Sequence, residues 1–241
     1  MPNIHVAVIN ASTVVKDEDF AKTVAALQIQ VSRDFAPVWG IDATLRALSK
    51  QEKPTAHEWW LAILDDSDQA GALGYHDLTS TGLPIGKVFA KTDLHYGDAW
   101  SVTASHELLE MLADPTINLT VFDESNRGGR LYAYEVCDAC EADKFGYKIN
   151  NILVSDFVFP SWFESFWKPN TTQFCYSNKI TKPFQLLKGG YIGIYDINSG
   201  NGWTQLTAEK VNHRARPPVG SRRERRSILT SNRIFSTCHS E

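Results

Sequence analysis

Apolar and polar side chains in the first half of the chain switch between the period of a strand and that of a helix. Residues 3–9 alternate at every second position, as in a strand, whereas residues 17–35 carry apolar side chains at helical spacing. Apolar runs over residues 43–48, 58–64 and 83–90 predict three further strands. Because strands that alternate with helices pack in layers, the pattern favours a mixed α/β (α+β) fold.

A further helix is predicted over residues 98–113. Its apolar positions recur at helical spacing, and Asp98 is a candidate N-cap. Pro115 prevents the helix from continuing much beyond Asp114, because proline lacks the amide hydrogen and clashes with the preceding turn. This helix follows the strand over residues 83–90 within about ten residues.

The second half of the chain is less regular. Residues 118–130 are polar and contain glycine, which predicts a loop, and residues 134–141 predict a short helix or an irregular turn. Residues 152–159 are a strand candidate. Residues 191–207 predict two short strands around a turn, because their middle is rich in asparagine and glycine.

Composition places the chain among ordinary globular proteins. Hydrophobic residues make up 43% of the 241 residues and charged residues 22%. No apolar run approaches the roughly 18 residues of a membrane helix, and the start lacks the pattern of a signal peptide. Four cysteines are too few for a disulfide framework. A cytoplasmic protein without a membrane partner is therefore expected.

Charge is distributed unevenly along the chain. The net charge is −4, but residues 209–241 carry +5, so the preceding residues carry −9. We therefore expect one domain over residues 1–207 and a basic, flexible tail over residues 208–241. An acidic domain does not suit nucleic-acid binding, so any such contact is expected only at the arginine cluster of residues 222–226. A solvated tail is the simpler interpretation.

The segment His106-Glu107-Leu108-Leu109-Glu110 carries the candidate chemistry. His106 and Glu110 are four residues apart, so both lie on one helix face and can reach the same metal ion with bonds of about 2.0–2.2 Å. Glu107 is rotated from His106 by about 100°. In the related His-Glu-x-x-His pattern, this glutamate is the general base that takes a proton from water on the metal. One Zn²⁺ per chain is the predicted cofactor.

A catalytic zinc site needs a third protein ligand. Glu135 is the first choice, Asp138 is a substitute or a supporting residue, and Asp114 is a further alternative. His76 could orient a substrate or stabilise an oxyanion. A carboxylate-rich ligand set should make zinc a weaker Lewis acid, and it would also admit Mn²⁺ or Ca²⁺.

These motifs resemble a family. Residues 105–115 are similar to the His-Glu-Leu-x-Glu-x-x-x-Asp/Asn-Pro helix of zincin-like, metallopeptidase-related proteins, which include bacterial proteins and, more distantly, the plant phosphate-induced (EXORDIUM-like) proteins. Residues 135–140 are similar to their Glu-Ile/Val-x-Asp-x-Cys element. The resemblance covers residues 82–163. It implies a zincin-like fold with an edge strand before the active-site helix, which we assign to residues 83–90, and it supports His106 and Glu110 as ligands and Glu107 as base.

Two alternatives stay open. The wider superfamily implies a peptidase that acts on a peptide or protein, but Glu110 stands where the usual zincin pattern has a second histidine. The chain could instead be a non-catalytic zincin-like scaffold that serves as a binding or assembly component. A structural zinc at Cys137 and Cys140 is less favoured, because no second Cys-x-x-Cys pair exists to complete four ligands.

Overall fold

The computed structural model describes residues 4–49, 52–69, 72–123, 129–199 and 201–209. The predicted basic tail beyond Glu209, with its arginine cluster, lies outside these residues. Within them the chain is a mixed α/β protein of the α+β type. No helix among the described residues is long and apolar enough to cross a membrane.

A five-stranded mixed sheet forms from the first third of the chain. Its order is β2-β1-β3-β5-β4; β1, β2, β3 and β5 run parallel, and β4 runs antiparallel to β5 at one edge. The strands are β1 Ile4–Asn10, β2 Ala43–Leu48, β3 Trp59–Leu64, β4 Gly74–Leu78 and β5 Pro84–Phe89.

Helices cover one face of this sheet. Helix α1, Asp17–Ile29, continues through a π-helical segment, Gln30–Phe35, into α2, Ala36–Trp39, which Gly40 ends in the left-handed conformation at φ 69°. Helix α3, Ala90–Tyr96, leads to α4, Trp100–Ala113. Helix α4 packs against both β4 and β5.

The second half of the chain adds a smaller sheet and several short turns. The sheet is antiparallel in the order β11-β10-β7-β6. Strands β8 and β9 form a separate hairpin whose turn residues Asn150 and Asn151 both have positive φ, as the tight primed turns require. The remaining elements are β6 Thr120–Asp123, β7 Arg130–Ala133, β8 Tyr147–Ile149, β9 Ile152–Val154, β10 Tyr191–Asp196, β11 Trp203–Thr207 and the 3-10 turns Asp138–Cys140, Asp143–Phe145 and Pro160–Phe163.

A single hydrophobic cluster joins the two halves. It contains side chains from β1 and α1, the apolar side of α4, and aromatic residues of the second half such as Phe157 and Trp162. The junction between α1 and the π-helical segment supplies a polar link. Ser105 of α4 donates to Gln30 Oε1 at 2.7 Å, Gln30 Nε2 donates to the carbonyl of Ser155 at 2.9 Å, and the Ser155 amide donates to Ser105 Oγ at 3.0 Å.

The structure corrects several predictions. The strand over residues 83–90 is internal, and the edge strand is β4, which the sequence pattern did not reveal. The predicted loop over residues 118–130 contains β6. The predicted strand over residues 152–159 ends at Val154. Asp98 does not cap α4, because the N-cap position is Ala99 and no side chain there accepts a hydrogen bond.

Candidate metal centre

Helix α4 carries polar side chains into the interior. Twelve of its fourteen residues are buried, among them His106, Glu107 and Glu110. The helix is enclosed by β4 and β5 on one side and by β9 on another. Charged groups in such a place need partners, because burying an unpaired ion costs several kcal/mol, of the order of 5. The neighbours of these three side chains therefore define the site.

His106 lies between two carboxylates. Its Nε2 is 3.1 Å from Glu110 Oε2 and 3.2 Å from Asp138 Oδ1. Asp138 comes from the first residue of a 3-10 turn in the second half of the chain. The other oxygen of Glu110, Oε1, accepts the backbone amide of Cys137 at 3.1 Å, which fixes the carboxylate in place.

The protonation of this cluster is set by burial and by mutual charge. Burial by itself lowers the pKa of His106, but the charge of Glu110 and the hydrogen bond to Asp138 outweigh it, so the pKa lies well above its usual value. Burial raises the pKa of Glu110 to about 7, and Asp138 adds to this effect while His106 opposes it. A cation bound here competes with protons, so its affinity should fall as the pH falls.

His76 of the edge strand β4 approaches the side chains of α4 from the sheet. Its Nδ1 is 3.7 Å from both Glu107 Oε2 and Glu110 Oε2, and its Nε2 is 3.8 Å from Glu135 Oε2. Only 1% of the residue is exposed. The imidazole lies inside the protein among three carboxylates, and the predicted contact between His76 and a substrate stays a prediction.

Glu107 is held where α4 crosses the edge of the sheet. A Cβ atom on Gly74 would lie 2.7 Å from both Glu107 Oε1 and Thr103 Cγ2, so only glycine lets the strand approach the helix this closely. Glu107 is 6% exposed, and its Oε2 makes no hydrogen bond to any described residue. One carboxylate oxygen is thus packed against β4, and the other faces His76.

A second buried acid, Asp93 of α3, is hydrogen-bonded to α4 one turn before Glu107. Thr103 Oγ1 donates to Asp93 Oδ1 at 2.8 Å, whereas Asp93 Oδ2 has no hydrogen-bond partner among the described residues. Burial raises the pKa of Asp93 to about 7. Nothing in the pattern around Asp93 distinguishes it from a surface residue, so sequence reasoning did not find it.

Three groups of donor side chains in the described part of the chain have ligand atoms within 4.8 Å of one another. Zinc–ligand bonds of about 2.0–2.2 Å place the donors of a tetrahedral site about 3.3–3.6 Å apart, close to the two distances measured from His106. Each of these two pairs therefore has a spacing compatible with a zinc ion, although His106, Glu110 and Asp138 do not together form one of the groups. The groups are His106 with Glu110 and Cys137, His76 with Glu110 and Glu135, and His106 with Asp138 and Glu141.

The structure separates the predicted ligands. His106 and Glu110 lie together, but Glu135 groups with His76, and Asp138 lies beside His106. Asp114 belongs to none of the three groups, and its carboxylate accepts backbone amides of the loop that follows α4. Glu141 was not singled out from the sequence, although its position three residues after Asp138 is a signal that could have identified it.

The cysteines do not form a zinc cage. Cys137, Cys140 and Cys175 are buried free thiols, and no group of donors in the described residues contains two of them. Burial raises the pKa of Cys137 well above its usual value, so this thiol is a weaker candidate ligand than the carboxylates. Cys238 lies outside the described residues.

Comparisons of the chain with protein-family models, with curated proteins and with solved structures found no match.

Proposed function

We propose that this protein is a zinc-dependent hydrolase of the metallopeptidase type, with a zincin-like fold. The observation that carries the proposal is the position of His106 Nε2, 3.1 Å from Glu110 and 3.2 Å from Asp138. Imidazole and carboxylate are donor types that zinc accepts, and both distances are close to the spacing of two ligands on one ion. We assign His106 and Glu110 as ligands of one ion, and Asp138 in place of Glu135 as the third ligand, which requires Asp138 to move from its group with Glu141 toward Glu110.

The surroundings of α4 also support a zincin-like arrangement. The antiparallel edge strand β4 precedes α4 in the chain and packs against it, as the resemblance of the helix motif implies. The side chain of Glu107 extends from α4 toward this strand.

A bound zinc ion would lower the pKa of a coordinated water to about 7 and polarise the carbonyl of a scissile bond. We assign Glu107 as the general base, and the absence of a hydrogen bond from its Oε2 to any described residue supports this role. It would accept a proton from water as the water oxygen attacks the carbonyl carbon, and it would return that proton to the amine nitrogen when the C–N bond breaks. Burial of the site keeps bulk water away from this transfer.

The substitution Glu107→Gln tests the proposal. A panel of fluorogenic peptides first identifies a cleaved sequence, and zinc content is measured in parallel. We expect hydrolysis to fall by about 10²–10⁴-fold, the usual contribution of a general base, while zinc stays bound. The matched control is Glu164→Gln, which changes an exposed glutamate and should leave both quantities unaltered.

Two results would contradict the assignment. If Glu107→Gln cleaves the peptides at the wild-type rate, Glu107 is not the base. If the wild type binds zinc but cleaves none of the peptides or proteins offered, the non-catalytic scaffold is the better interpretation.

A further inference from the structure

Glu110 stands between two imidazoles. Its Oε2 is 3.1 Å from Nε2 of His106 and 3.7 Å from Nδ1 of His76, while Oε1 is fixed by the amide of Cys137. A carboxylate oxygen with a nitrogen donor on each side is in the position of a bridging ligand. The proposed zinc site uses only the His106 side of this oxygen.

The space between Glu110 and His76 is lined by a separate group of possible metal ligands. His76, Glu110 and Glu135 bring ligand atoms within 4.8 Å of one another, and each residue is more than nine-tenths buried. Glu107 points into the same space, because its Oε2 is 3.7 Å from Nδ1 of His76. This oxygen is buried and makes no hydrogen bond to any described residue, so it is available to an ion or to water at this position.

Charge favours a further cation here. Within the described residues, the ion pairs of Glu107, Glu110 and Asp138 are formed only with His76 and His106. If His106 is a neutral zinc ligand, one dication leaves these three buried carboxylates with a net negative charge. Uncompensated charge in a protein interior is costly, so the arrangement is balanced better by positive charge on the His76 side as well.

We propose that a second divalent cation binds beside the first, held by His76 and Glu135, with Glu110 shared between the two ions. This inference rests on the proposed zinc site and extends it to a two-metal centre. Hydrolases with two metals hold them about 3.5–4 Å apart, and a shared carboxylate achieves such a separation. One imidazole with carboxylate oxygens suits a transition-metal dication such as Zn²⁺ or Mn²⁺ better than Ca²⁺.

The number of ions bound per chain tests the proposal. Full-length protein is stripped of metal and dialysed against buffered Zn²⁺, and bound zinc is measured by elemental analysis. We expect His76→Ala to bind one ion fewer than the wild type. His57→Ala, which removes an exposed histidine, is the matched control and should bind the wild-type number. Because each variant is compared with the wild type, zinc bound elsewhere in the chain cancels.

The outcomes separate this inference from the proposed function. If His76→Ala binds as many ions as the wild type while His106→Ala binds fewer, the second ion is refuted and the first site stands. If neither variant loses an ion, both proposals fail. Near-UV circular dichroism checks that the variants are folded, and His76→Gln serves as a second variant if alanine disrupts the core. A wild-type protein that binds a single zinc ion overturns the proposal without any variant.

Discussion

The contact between β4 and α4 can be tested directly by replacing Gly74 with alanine. The added Cβ would lie 2.7 Å from Glu107 Oε1, 2.7 Å from Thr103 Cγ2 and 2.8 Å from Glu107 Cγ. Unstrained heavy-atom contacts are about 3.5–4.0 Å, so each of the three overlaps is close to an ångström. Two of the three atoms belong to Glu107, which is itself enclosed, so this side chain must move.

The expected loss of stability in Gly74→Ala follows from the size of this steric overlap. An extra methyl group in a packed interior usually costs about 1–3 kcal/mol. For a protein of this size, 1 kcal/mol lowers the melting temperature by about 2–4 °C. A displacement of about 1 Å in a catalytic group can reduce the rate 10²-fold, so hydrolysis should fall far more than stability does.

Differential scanning calorimetry and hydrolysis of the cleaved peptide measure the two effects. Gly193→Ala is the matched control, since it also lies in a strand, but its Cβ would meet only Ala133 Cβ at 3.2 Å and Trp203 at 3.9 Å. We expect it to leave hydrolysis unchanged. Wild-type hydrolysis together with wild-type melting in Gly74→Ala would show that Glu107 is not held between β4 and α4.

Two further substitutions test the buried acids near α4. The pKa of Asp93 is raised to about 7, so the stability that its proton provides is present at low pH and lost as the pH rises through about 7. The stability of Asp93→Asn relative to the wild type should therefore increase by about 2–3 kcal/mol between pH 5 and pH 8; chemical denaturation with an equal difference at both pH values would contradict this. Asp114→Ala should lower the free energy of unfolding by about 2–3 kcal/mol, because the amides of Asn118 and Leu119 lose a buried acceptor. Zinc content should stay at the wild-type level, and a loss of zinc in Asp114→Ala would return Asp114 to the list of ligands.

The elements that the sequence predicted well are those whose side chains follow one strong period. Strand β3 is a continuous apolar run, β1 is mostly apolar, and the apolar residues of α4 recur at helical spacing, so their positions could be predicted to within about two residues. Strand β4 was not predicted, because its sequence, Gly-Tyr-His-Asp-Leu, does not alternate between apolar and polar residues. The side chain of His76 faces the candidate site rather than a core, and no local pattern encodes that environment.

The positions of the proposed ligands were only partly predictable for a related reason. His106 and Glu110 share one helix turn, so their spacing alone brings them together. Glu135 and Asp138 are also three residues apart, which suggested a shared helix face, but the 3-10 turn begins only at Asp138. Glu135 therefore lies in irregular backbone, and the two carboxylates approach different histidines. Which histidine each carboxylate approaches depends on the tertiary structure, so local spacing could not predict it.

The hydrogen-bonded ring of Gln30, Ser105 and Ser155 has a consequence for how the protein is made. Ser105 immediately precedes His106, and its hydroxyl is oriented by one partner from the first helix and another from beyond β9. During synthesis, a nascent chain that ends before Ser155 leaves this ring open, and it also lacks Asp138 until that residue emerges from the ribosome. Loading of the proposed zinc site should therefore follow the translation of the second half of the chain.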